Sequence, residues 1–139
     1  MQIERITLHQ IKMPLVHFFE TSFGRTTDRQ MVLVEVSSGG ISGWGEITAG
    51  ENPFYNEEWT ESAWLIARDY VAPRVLNHEF ENAAEIGTRT AHIRGHRMAR
   101  GGVEAAAWDL EARMLGRPLY QHIGGGARRE IPCGKGHWR

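Results

Sequence analysis

Apolar and polar residues alternate through the first fifteen positions, with Ile3, Ile6, Leu8, Ile11, Met13 and Leu15 as the apolar set and two slips of phase between them. Period-2 alternation predicts a strand, and the slips predict an irregularity near Gln10, with Pro14 closing the element. Residues 16–29 (VHFFETSFGRTTDR) keep neither a strand nor a helix period and read as a loop. Met31 to Val36 is a near-continuous β-branched and apolar run, Ser37-Ser38-Gly39-Gly40 has turn chemistry, and Ile41 to Ile47 resumes an extended pattern. Together these predict a hairpin paired antiparallel with the first strand.

After Ile47 the period changes. Asn56 followed by Glu57 and Glu58 reads as a helix start, and Trp59, Ala63, Ile66, Ala67 and Tyr70 continue it at helical spacing until Pro73. Asn82 with Glu85 resembles a capping box for a second helix through Ile86, Thr90 and Ile93 to Gly95. The clearest stripe is Val103, Ala106, Ala107, Leu110 and Met114, braced by Asp109 and Arg113 and ended by Gly116 and Pro118. Pro118 opens a short final turn through Leu119, Tyr120 and Ile123. Strands first and helices after them predict an α+β fold: a three-stranded antiparallel sheet followed by a helical bundle on one face.

Composition narrows the function classes. With 139 residues the chain fits one domain and falls short of the roughly 250 residues of a complete (β/α)8 barrel. Sixteen Lys and Arg against seventeen Asp and Glu leave a formal charge of −1, so neither nucleic acid nor an acidic membrane surface is favoured as a partner. No apolar run approaches the length of a membrane span and no signal-peptide centre is seen, so a cytoplasmic location is expected. Cys133 is the one cysteine, which leaves stability to packing.

Several constellations invite chemistry and have plainer readings. His92 and His96 lie four apart, as two metal ligands on one helix face would, but Gly95 interrupts them and no third ligand is near. Gly124-Gly125-Gly126 lacks the lysine and hydroxyl of a phosphate loop. His92, Arg94, His96, Arg97 and Arg100 cluster basic charge without interleaved aromatics, which reads as a solvated or ion-paired face. Glu46, Glu104, Asp109 and Glu111 could pair carboxylates for acid-base work, against the plainer reading of a half-exposed helix face. Phe18, Phe19 and Phe23 in the first loop, with Tyr55 in the stretch ENPFY, either enter the core or form an apolar lid.

A set of motifs gives these loops a context: Met13-Pro14-Leu15, Thr21-Ser22-Phe23-Gly24, Gly43-Trp44-Gly45-Glu46, the run His96-Arg97-Met98-Ala99-Arg100-Gly101-Gly102-Val103-Glu104-Ala105-Ala106-Ala107-Trp108-Asp109-Leu110-Glu111-Ala112, then Gly116-Arg117-Pro118-Leu119 and Ile131-Pro132-Cys133-Gly134. In this order they resemble the N-terminal capping domain of the enolase superfamily, muconate-lactonizing subgroup, and within it the o-succinylbenzoate synthase/N-acylamino acid racemase family. The resemblance implies a cap over residues 1–130 packed on a (β/α)7β barrel, with residues 131–139 opening the first barrel strand before an atypical tail from Lys135 to Arg139.

In such enzymes a barrel lysine removes the proton α to a carboxylate, Mg2+ on three barrel carboxylates stabilises the enediolate, and a second lysine faces the first. Loss of water then gives o-succinylbenzoate for menaquinone synthesis, while reprotonation on the other face gives racemisation. The cap supplies no catalytic residue and no metal ligand; it shapes the pocket for a small carboxylate substrate and excludes water. By position, the resemblance assigns Phe19, Glu20 and Phe23 in the first loop and Gly50 and Tyr55 in the second to that pocket. Some relatives carry arginine at the place of Glu20 and a bulkier side chain at the place of Gly50, so synthase, racemase and dipeptide epimerase specificity all stay open.

The barrel lies outside these 139 residues, and the chain by itself is expected to be inactive and to bind no Mg2+. Its uncovered apolar face is expected to drive homo-oligomerisation, and its two pocket loops to be mobile. Two other classes stand beside this one. One is a free-standing binding or dimerisation module, the other an enzyme with its own site around Glu46 or His92 and His96.

Overall fold

The computed structural model describes residues 1–22, 24–126 and 128–132. Three strands, β1 (Arg5–Thr21), β2 (Gly24–Ser38) and β3 (Ile41–Ile47), form one antiparallel sheet in the order β1-β2-β3. The helices follow as α1 (Thr60–Ile66), α2 (Ala72–Val75), α3 (Ala84–Arg89), α4 (Arg97–Met114) and α5 (Leu119–His122). The α+β order and the three-stranded sheet agree with the sequence.

The stretch expected to be a loop is not one. Residues 16–21 and 24–29 continue the hairpin, with Phe19 opposite Thr26, Glu20 opposite Arg25 and Thr21 opposite Gly24. The register is regular from Arg5 to Pro14 and shifts between Pro14 and Phe19, so the irregularity lies beyond Pro14 rather than at Gln10. Pro14 is tolerated inside β1, opposite Asp28, because β1 is an edge strand and needs ladder donors on one side only. β3 pairs with residues Val32 to Ser38 of β2, so the distal half of the hairpin extends past it as a two-stranded arm.

The inner face of the sheet is set by Val32, Val34 and Val36, which stand opposite Ile47, Gly45 and Gly43 and are fully buried. Helix α4 rests on the glycines of β3. A Cβ at Gly43 would collide with the backbone of Leu110 and Ala106, and one at Gly45 with Gly102 and Ala106. Reciprocally, a Cβ at Gly102 would collide with the Ile47 side chain. The Gly-Trp-Gly-Glu motif is thus the imprint of a helix lying at backbone contact on a strand. Asp109 of α4 fastens the edge by accepting the Trp44 N–H at 2.9 Å while pairing with Arg113 at 2.8 Å.

Ala63, Ala67, Val71 and Val75 complete the core from α1 to α2, together with Phe80, Ala83, Ile86, Val103, Ala106, Ala107 and Leu110. The first helix begins later than expected, after Trp59, whose N–H donates to Ser62 Oγ at 3.1 Å. It also does not stop at Pro73. A π-helical turn, Ala67–Val71, precedes the proline, and the helix resumes as α2. Pro73 has no N–H to donate, and the widened turn before it accommodates the ring.

The capping pair at α3 forms one residue out of register from a standard box: Ala84 N–H donates to Asn82 Oδ1 at 3.1 Å and Glu81 N–H to Glu85 Oε1 at 3.0 Å. α3 ends at Arg89, before Ile93, where the Thr90 hydroxyl turns back to donate to the Ile86 carbonyl at 2.8 Å. α4 ends as expected, with Gly116 at φ +64° and the Arg117 N–H reaching back to the Ala112 carbonyl at 3.0 Å.

Candidate functional site

Two surface segments carry the site residues expected from the sequence. On the hairpin arm, Val16 is 93% exposed, and Phe18 and Phe19 are more than half exposed. Neither phenylalanine enters the core, because among the described residues no third strand pairs with the arm. Glu20 is engaged: Arg25, its cross-strand neighbour, donates from Nε at 3.1 Å and from Nη2 at 3.0 Å to Glu20 Oε1, and the guanidinium stands 4.0 Å over the Phe18 ring. This pair and stack stiffen an arm that has little else to hold it. Both partners are half exposed, so the ion pair itself contributes less than about 1 kcal/mol. Phe23 lies outside the described residues.

The second segment runs from Gly50 to Trp59. Its base is closed by the Thr60 N–H and hydroxyl, which donate to the Gly50 carbonyl at 2.8 and 3.0 Å. Phe54 and Tyr55, at 91% and 89% exposure, are among the most exposed aromatic side chains described. A Cβ at Gly50 would meet only the Asn52 carbonyl at 3.8 Å, so a larger side chain fits at that position. Glu58 leaves the loop for the interior and accepts the N–H groups of Met98 and Ala99 at 2.9 and 3.0 Å. Sequence reasoning placed Glu58 in the first turn of α1 and missed this role, since its partners lie forty residues further along.

The constellations considered for independent chemistry resolve into braces. His92 Nε2 accepts from Arg74 Nε at 2.7 Å, and His96 sits at φ +47° before α4, so the two do not present a shared ligand face. Among the described residues no group of three His, Cys, Asp or Glu is placed to hold a metal ion. The described residues therefore do not fit a Mg2+ site. Glu111 Oε2 accepts the Ala83 N–H at 2.8 Å and lies 3.3 Å from His122 Nε2, and Asp109 is committed to Trp44 and Arg113. Glu111 and Asp109 are thereby spent on backbone amides of other elements, which takes these two out of a paired-carboxylate site. Arg100 likewise turns inward to Thr90 Oγ1 and the Gly87 carbonyl, both at 3.3 Å, which takes it out of the basic cluster.

On the outer face of the sheet, Ser42 Oγ donates to Glu35 Oε1 at 2.7 Å, His9 Nε2 lies 3.4 Å from Glu35 Oε2, and the His9 ring stacks on Trp44 at 5.5 Å. The Ser42 hydroxyl, more than His9 or Arg5, holds the Glu35 carboxyl below the usual carboxylate range against an opposing push from burial. A depression of about 510 Å3 is lined by Met1, Gln2, Glu79, Phe80, Glu81 and Glu85, none of which belongs to the arm or the second loop. No helix among the described residues is long and apolar enough to cross a membrane.

The chain is similar along nearly its whole length to enzymes of known name. It is 34% identical to the o-succinylbenzoate synthase of Bacillus subtilis (strain 168), over 96% of this chain and 36% of that protein. It is 38% identical to the N-succinylamino acid racemase of Thermus thermophilus, again over 96% of this chain and 36% of the relative. An enolase-superfamily protein from Enterococcus faecalis V583 superposes with a TM-score of 0.86 at 32% identity, over 96% of this chain and 36% of that one. The chain thus spans about a third of the length of the relatives it matches. The model of the mandelate racemase/muconate lactonizing enzyme N-terminal domain matches residues 3–124, and this chain belongs to that family.

Proposed function

We propose that this chain is the substrate-facing cap of an o-succinylbenzoate synthase-like enzyme, which dehydrates a carboxylate bearing an α-proton in menaquinone biosynthesis. The observation that carries the reading is the pair of projecting segments, the hairpin arm and the second loop. Their side chains Val16, Phe18, Phe19, Phe54 and Tyr55 are left open to solvent although they are the kind that line a pocket. Phe19, Glu20, Phe23, Gly50 and Tyr55 contact the part of the substrate distal to the reacting carbon. The base, the acid and the three ligands of a Mg2+ ion come from a barrel packed against the cap; of residues 131–139, expected to open its first strand, 133–139 lie outside the described residues. The cap's own work is to exclude water and to choose among substrate tails.

N-acylamino acid racemase and dipeptide epimerase caps are the nearest alternatives, and similarity to an N-succinylamino acid racemase keeps the first of these in view. We further propose that the enzyme acts in the cytoplasm as a homo-oligomer.

The test grafts residues 1–132 in place of the cap of the B. subtilis synthase and assays o-succinylbenzoate formation and N-succinylamino acid racemisation. The graft is expected to turn over at least one of them, and Phe19→Ala and Tyr55→Ala are expected to raise KM with less effect on kcat. A graft that folds and is active but ignores both substitutions would place the pocket elsewhere.

A further inference from the structure

Glu58 is 4% exposed, although residues 51–55 just before it are all open to solvent. A buried carboxylate needs compensation, and α4 supplies it: Oε1 accepts the Met98 N–H at 2.9 Å and Oε2 the Ala99 N–H at 3.0 Å. These are donors that the first turn of a helix leaves unpaired, at the end where the helix dipole favours negative charge. His96, the residue at the N-cap of α4, makes no side-chain cap bond, so a side chain from forty residues upstream does the capping.

The same contact ties the second loop down. Glu58 N–H donates to Asn56 Oδ1 at 2.8 Å, and Asn56 Nδ2 lies 3.9 Å from Met98 Sδ. At the other end Thr60 closes on Gly50. Between these two ends, residues 51–55 are exposed throughout. The loop is therefore a span with two fixed feet, and the foot nearer Tyr55 is Glu58.

We propose that Glu58 is the positioning residue of the second loop: by binding the α4 N-terminus it fixes where Tyr55 stands, and hence which substrate tail the cap admits. The specificity half of this statement rests on reading the cap as a pocket wall; the positioning half does not. A residue that merely capped α4 would act differently under rescue. In Glu58→Ala a small carboxylate from solution can bind the freed Met98 and Ala99 amides and restore the helix cap, but it has no bond to the loop.

The experiment follows amide shifts and hydrogen exchange of the chain by NMR for Glu58→Ala and the shape-preserving Glu58→Gln, with and without formate. Exchange at Met98 and Ala99 is expected to quicken about tenfold or more in Glu58→Ala, with displaced shifts across residues 51–57. Formate is expected to slow exchange at Met98 and Ala99 again and leave the loop shifts displaced. Glu58→Gln, which keeps one acceptor, is expected to fall between. Unchanged loop shifts in both variants, or loop shifts that return with formate, would overturn the positioning role. In the grafted enzyme, Glu58→Gln is expected to alter the ratio of synthase to racemase kcat/KM by about tenfold, through KM; an unmoved ratio with a displaced loop would overturn the specificity role. An unmodified graft with no activity would count against the cap reading and leave the NMR result to decide on Glu58.

Discussion

Adding one methyl group at Gly45 should be among the costliest small changes this fold can suffer. A Cβ there would collide with the Gly102 carbonyl oxygen and stand 2.7 Å from the Ala106 nitrogen, both backbone atoms of α4. No rotamer change relieves such a clash, so α4 must lift from β3 and open the contact among Val34, Ile47 and Ala106. Overpacking of a tight core costs about 1–3 kcal/mol even where side chains can yield, and here they cannot, so about 3 kcal/mol is expected. For a domain of this size that is roughly a 10 °C fall in Tm. Gly101, one residue from Gly102, is the internal control. A Cβ at Gly101 meets nothing within 4 Å, and Gly101→Ala should stabilise α4 by about 0.5–1 kcal/mol. Urea unfolding monitored by far-UV circular dichroism measures both. Gly45→Ala within about 0.5 kcal/mol of the parent, or Gly101→Ala and Gly102→Ala behaving alike, would refute the backbone contact between α4 and β3.

Asp109→Ala should cost about 1–2 kcal/mol in the same unfolding assay, because it removes both the acceptor for the Trp44 N–H and the partner of Arg113; Arg113→Ala should cost far less. Glu35 has a carboxyl pKa lowered on folding, so its contribution is present above its unfolded pKa and is lost as pH falls through the lower folded value. Ser42→Ala, which removes the main cause of that lowering, should flatten the acid limb of Tm against pH, and an unchanged limb would exclude the Ser42–Glu35 bond as its source. Hydrogen exchange over residues 16–21 and 24–29 should be faster than over Val32 to Val36, because a two-stranded ribbon without a third strand is marginal in water. Equal protection in the two regions would contradict this.

Periodicity found what a buried face imprints. The stripe from Val103 to Met114 was legible because α4 is buried along one side, and its end was legible because Gly116 needs a positive φ. Residues 16–29 were opaque for the converse reason: the arm buries neither face, so its pairing leaves no alternation, and only the cross-strand Glu20–Arg25 pair records it. Pro73 misled because a π-helical turn, which has no marker of its own, lets a helix pass a proline. Glu58 was beyond local reading altogether, since a cap contributed by a residue forty positions away follows from tertiary packing and not from the neighbours of either partner. Of the five expected pocket residues, Phe19, Glu20, Gly50 and Tyr55 stand on the two projecting segments, while their meeting with a substrate belongs to the proposal.

The most direct test of the account is the rate of o-succinylbenzoate formation by the B. subtilis synthase barrel carrying residues 1–132 of this chain, measured beside the chain alone and the barrel without a cap. Turnover by the joined protein, with neither part active separately, is what a cap that completes a barrel site predicts. A folded joined protein with no synthase, racemase or epimerase activity, or turnover by the 139-residue chain unaided, would contradict it.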